Sequence, residues 1–277
     1  MRSKAQFPLI FALILGGIII VSALVVYQVG IFHRKAEVGR AFILLNAECD
    51  SKRMLLAALV RFTHEYLSTG NVTIAENNAS RILLSWRLAF MAAYGASSLR
   101  VALVAEGSVL QEPTSYTLFL DSESVMVNVT KIEIPEGSVF TCYWDRPFAV
   151  SGAHIAVKVD VLSEGIMGWN CSTTSLLAVN ITAVYTDSDA NQTKVEFKVF
   201  DENGWVSNLA KECLKIEYRD PSNGELVEVE DITVIEYLGQ GVYRVCFSPG
   251  IDPRSLYLTV TDRRGVIVRA STENINV

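Results

Sequence analysis

The sequence predicts an α+β chain: an N-terminal transmembrane helix and a helical hairpin, followed by two antiparallel β-sandwich modules. Three observations lead there. Residues 5 to 32 are 28 consecutive positions without a charge. Apolar residues then recur at helical spacing to about residue 95, and from about residue 98 the apolar period drops from 3.6 to 2. Half of the 277 residues are apolar and 19% charged, which excludes a disordered or collagen-like chain. The net charge of −6 is split unevenly, with 11 basic and 6 acidic residues up to position 110 against 13 and 24 beyond it. The larger, acidic part repels polyanions, so nucleic acid is not expected as a partner.

The run Phe7 to Gly30 is 24 residues long, about 36 Å of helix against a hydrocarbon core of roughly 30 Å. Pro8 falls in the first turn, where its missing N–H costs nothing, and Tyr27 suits the far interface. A secretory signal peptide would have a shorter apolar region and a small-residue cleavage site. Residues 1–33 are therefore assigned to a leader and transmembrane helix, with the membrane as the first partner.

The stretch Lys4-Ala5-Gln6-Phe7-Pro8-Leu9-Ile10-Phe11-Ala12-Leu13-Ile14-Leu15, continued by Val25-Val26-Tyr27-Gln28-Val29, resembles the amino terminus of archaeal type IV pilin-like proteins. The resemblance covers about 30 residues and implies processing at Lys4, Ala5 and Gln6, with the cut between Ala5 and Gln6. It also implies a helix that anchors the protein or packs against copies of itself, Gly16 and Gly17 allowing close approach. Phe7 is bulkier than the family pattern, Ile10 stands where bacterial pilins place a glutamate, and the outer part is longer than a typical pilin head.

Six Asn-x-Ser/Thr acceptors, at Asn71, Asn78, Asn128, Asn170, Asn180 and Asn191, exceed the roughly two expected by chance and favour a glycosylated, extracytoplasmic bulk. The basic residues on both sides of the helix, Arg2 and Lys4 before it and Arg34, Lys35 and Arg40 after it, slightly favour the opposite orientation. The sequons decide the expectation: a single-pass cell-membrane protein with its carboxyl-terminal bulk outside.

Beyond the membrane, Val38, Phe42, Leu45, Cys49, Leu56, Val60 and Leu67 keep helical spacing. Gly70 suits a left-handed cap, and Asn77 or Asn78 is placed to cap a second helix carrying Ile82, Leu83, Trp86, Phe90, Met91 and Tyr94. Residues 34–100 thus form a membrane-proximal helical stalk. Alternating runs from Val101 to Val268, punctuated by Asn203-Gly204 and Asn223-Gly224, predict hairpin-linked strands. The polar segment 186–193 divides them into modules 101–190 and 191–277. The second module, through Gly239-Gln-Gly241-Val-Tyr243-Arg-Val245 and Leu256 to Asp262, weakly resembles immunoglobulin-like domains of prokaryotic surface proteins, which implies adhesion or assembly.

Five cysteines in an extracytoplasmic chain allow at most two disulfides. Pairing within modules gives Cys142 with Cys171 and Cys213 with Cys246, leaving Cys49 on the helix, where a small core residue is the simpler expectation than a crosslink between subunits. No metal-ligand spacing, nucleophile elbow or phosphate loop occurs among the motifs. His154 shares a strand face with Lys158 and is expected to be solvated. Asp187-Ser-Asp189-Ala-Asn191 opens like a calcium loop, but Gln192 and Lys198 occupy the glycine and bidentate-glutamate positions. No catalysis, metal or cofactor is expected. The sequence points to a membrane-anchored extracellular structural protein, a pilin-like subunit or surface component; the alternative is a permanently anchored binding module that recognises a protein or glycan through its outer sandwich.

Overall fold

A computed structural model describes residues 6–94, 98–102, 115–120, 123–128, 139–161, 165–187 and 189–273, with side chains described at 20–28, 37–94, 139–161, 165–187, 189–252 and 254–273. Helix α1 runs without interruption from Gln6 to Thr69 and helix α2 from Val72 to Tyr94. Gly70, at φ +64°, turns the chain between them, its N–H bonding the Tyr66 carbonyl at 2.8 Å. That is the left-handed stop glycine permits at low steric cost. The cap of α2 is Asn71, whose Oδ1 accepts from the Ile74 N–H at 3.2 Å, so Asn77 and Asn78 lie inside the helix instead of heading it. At the far end the Asn46 amide donates to the Tyr94 hydroxyl at 3.0 Å, closing an antiparallel hairpin.

The expected transmembrane helix is corrected. Among the described residues no helix is long and apolar enough to cross a membrane. The apolar run is instead the first part of α1, one uninterrupted helix that continues from Gln6 to Thr69 into the folded head.

The strands are β1 (Ser98–Ala102), β2 (Ser115–Leu120), β3 (Glu123–Asn128), β4 (Phe140–Tyr143), β5 (Phe148–Val161), β6 (Ile166–Asp187), β7 (Gln192–Asp201), β8 (Gly204–Trp205), β9 (Leu214–Arg219), β10 (Leu226–Glu228), β11 (Ile232–Gly239), β12 (Val242–Phe247), β13 (Leu256–Thr261) and β14 (Ile267–Ser271). One sheet has the order β1-β5-β6-β7-β12-β11, with β4 added to β5 and β8 to β7; a second has the order β10-β9-β13-β14; β2 and β3 pair as a hairpin. Every pairing between these strands is antiparallel.

Two separate sandwich modules are therefore not what forms. The expected boundary at 190/191 is the turn of the β6–β7 hairpin, paired from Leu177↔Asp201 to Asp187↔Gln192 with one register shift between Ile181 and Ala183, so strands of both expected modules share the large sheet. Polar residues in 186–193 mark a hairpin turn as readily as a linker, and Asn191 at φ +50° supplies its left-handed corner.

The two sheets and both helices enclose one continuous core, in which Ile43, Ala47, Leu55, Leu59 and Phe62 of α1 meet Ile155, Val157, Leu177, Phe197, Val245, Leu258 and Val268. Phe62 stacks on Phe140 at 4.9 Å between ring centres, and Tyr66 meets Trp144 edge-on at the same distance. Polar clamps join the sheets. Buried Ser151 accepts from the Trp144 indole at 2.8 Å and donates to the Ile267 carbonyl. Arg269 forks onto Asp145 at 2.7 and 2.8 Å, and Arg264 binds Asp262 and Glu202 while donating to the Leu176 carbonyl at 2.8 Å.

Candidate functional site

Helix α1 is apolar on more than one face, and the structure uses only one of them. The buried face carries Ile43, Ala47, Ser51, Leu55, Ala58, Leu59 and Phe62, which meet the sheets. The stripe read from the sequence is the other one. Val38, Phe42 and Leu45 are 69, 60 and 58% exposed, Cys49 and Leu67 are exposed, and Leu56 and Val60 are half-buried. Farther toward the amino terminus, Ile20, Val21, Leu24, Val25, Val26 and Tyr27 are each more than half exposed. Six apolar residues within eight consecutive helical positions reach every side of the helix, because successive residues advance by about 100°. A helix apolar all round is one that expects to be buried all round.

A second surface feature is an open groove of about 820 Å³ on the outer face of the large sheet, where Tyr185, Lys194, Glu196, Glu236, Arg244 and Cys246 converge. Arg244 donates to Glu196 at 2.7 and 2.9 Å and reaches Glu236 at 3.5 Å. The bond to Glu196 raises the guanidinium pKa further, so these charges neutralise one another instead of converging on a ligand. Alternation along β12 places Arg244 and Cys246 outward and Tyr243, Val245 and Phe247 inward, as expected for a half-buried strand.

The expected disulfides do not form: all five cysteines are free thiols. Cys142 stands opposite Ser151, which stands opposite Leu177, six residues along β6 from Cys171. Six residues of strand are about 20 Å, well beyond the roughly 7 Å between Cα atoms that a disulfide spans. Cys246 faces outward with Arg244, whereas Cys213 packs with the buried core. Burial holds the Cys142 thiol far above its ordinary pKa, and burial also raises Cys171, partly offset by a hydrogen bond with Ser51. Both stay protonated and unreactive near neutrality.

Among the sequons, Asn71, Asn170 and Asn191 are exposed, while Asn78 on α2 and Asn180 on β6 are half-buried. Asn71 caps α2, and the Asn191 Oδ1 accepts from the Gly250 N–H at 2.9 Å. Asn128 lies on β3, its side chain outside the described residues, as do Lys4, Ala5 and the Gln6 side chain. His154 is half-buried and not freely solvated: its Nδ1 lies 2.7 Å from the Thr174 hydroxyl across the β5–β6 ladder, and burial lowers its pKa. Asp187 spends Oδ1 on the N–H groups of Asp189 and Ala190, a turn in place of a calcium loop. No group of three or more metal-ligating side chains occurs among the described residues.

No family model, curated protein or solved structure matches the chain.

Proposed function

We propose that the protein is a non-catalytic, extracytoplasmic assembly subunit of pilin-like type, whose folded head is carried on α1 and whose apolar amino-terminal helix packs among copies of itself. The observation that carries this reading is the belt Ile20, Val21, Leu24, Val25, Val26 and Tyr27, exposed on all sides of the helix in the single chain. Isolated in water, that surface forfeits on the order of 1 to 2 kcal/mol per side chain relative to burial, and several copies in parallel cover it from every direction. The exposed sequons Asn71, Asn170 and Asn191 support an outward-facing head. The resemblance of Lys4 to Leu15 to pilin-like leaders supports the same reading and places the mature start at Gln6.

The test is sedimentation and electron microscopy of the full chain beside Leu24→Asp/Val25→Asp. The wild type is expected to form assemblies that the double variant loses, with the same thermal unfolding of the head. A wild-type chain that stays monomeric across the accessible concentration range overturns the proposal.

A further inference from the structure

Within such an assembly, we infer that two copies of α1 pair in parallel and in register through the exposed face opposite the head; the inference rests on the assembly reading and names the partner as a second copy of this chain. Val21, Leu24, Gln28, Ile31, Lys35, Val38, Phe42, Leu45 and Cys49 follow one another in alternating steps of three and four residues. Seven of these nine residues are apolar, Gln28 and Lys35 being the exceptions, a spacing that suits a seam between supercoiled helices. Val21, Leu24, Val38, Phe42, Leu45 and Cys49 are all exposed. The head meets the opposite face, through Ile43, Ala47 and Leu55, and leaves those six positions open.

The seam also selects its partner and direction. In a parallel pair, the residue before a first-position seam residue meets the residue five places on in the other helix. For Cys49 that brings Glu48 of one copy to Arg53 of the other, an attractive pair at each of the two symmetry-related positions. Glu48 is tied to Lys52 at 2.9 Å on its own helix and remains partly exposed, and Arg53 is exposed. Gln28 and Lys35 occupy successive first positions one heptad apart, and polar residues there fix register at some cost in stability. In register, the two Cys49 side chains face each other at one height. In an antiparallel pair centred on Lys35 they stand about 42 Å apart.

Cys49 therefore reports the geometry. The full-length chain is treated with diamide, which takes up the two electrons and two protons released as two thiols join, and is run on a non-reducing gel beside Cys49→Ser and Phe42→Glu/Leu45→Glu. The expected result is a covalent dimer that dithiothreitol reverses, lost in Cys49→Ser and strongly reduced in Phe42→Glu/Leu45→Glu. A wild type that assembles by sedimentation yet gives no covalent dimer overturns the in-register seam and leaves the assembly reading standing. A dimer that persists in Cys49→Ser overturns it as well, by placing a different thiol at the contact. A chain monomeric in both assays overturns the seam and the assembly together.

Discussion

The two ends of α1 have nearly the same apolar character and opposite fates. From Ile43 to Phe62, one face is buried against two sheets and α2. From Ile20 to Tyr27, every large apolar side chain is more than half exposed. A Leu on this helix is a core residue at position 55 and a surface residue at position 24, and the difference lies in what the rest of the chain brings beside it. The inner half stabilises the fold. The outer half adds little to the stability of a single chain and matters only once another molecule arrives.

The sharpest way to break that comparison is to truncate one side chain in each half. Phe62→Ala removes a fully buried ring stacked on Phe140, and urea denaturation is expected to show a loss of about 3 to 5 kcal/mol. Leu24→Ala, on the exposed half, is expected to stay within about 0.5 kcal/mol of wild type in dilute solution. Equal losses at both sites would mean that the outer helix is already covered within one chain. A smaller effect probes how the two sheets are joined. Arg264→Leu breaks a fan of bonds to Asp262, Glu202 and the Leu176 carbonyl, and unfolding should be easier by roughly 2 to 3 kcal/mol because Asp262 stays buried without its charge partner. If assembly but not stability changed in that variant, the clamp would belong to an interface instead of the head.

The smallest expected effect lies on His154. Burial depresses its folded pKa, so the folded state holds the proton less readily than the unfolded chain. Its contribution to stability is complete above the unfolded value of about 6.5 and declines as pH falls through the lower folded value. Melting curves between about pH 7 and pH 5 should show a slightly steeper decline for the wild type than for His154→Gln. Identical slopes would mean that the imidazole is as freely solvated as its strand position beside Lys158 suggests.

Much of the head is legible in sequence. Period-two runs locate β5, β7, β9, β12 and β13, and positive φ at Gly70 falls where the helix stop demands it. Gly204 and Gly224 also have positive φ, but Asp201 pairs with Gly204 and Arg219 with Leu226, so neither Asn-Gly supplies the two central residues of a hairpin turn. The stripe on α2 is also readable, since Leu83, Trp86 and Phe90 are buried. Strand β4 is not, because Phe140-Thr-Cys-Tyr143 is too short to show a period. The face of α1 is misread for a different reason: with apolar residues at both Phe42 and Ile43, at Leu45 and at Ala47, more than one stripe satisfies helical spacing.

What the sequence determined by itself is local: the helical hairpin and its glycine stop, the strand periods, the turns, and the apolar excess at the amino terminus. These follow from backbone sterics and side-chain spacing within a few residues. Only the tertiary structure decided which stripe of α1 is core, that β6 and β7 join the two expected modules into one sheet, and that Cys142 and Cys171 lie too far apart to bond. Each of these depends on which distant residues become neighbours, and burial is a property of that neighbourhood and not of the residue.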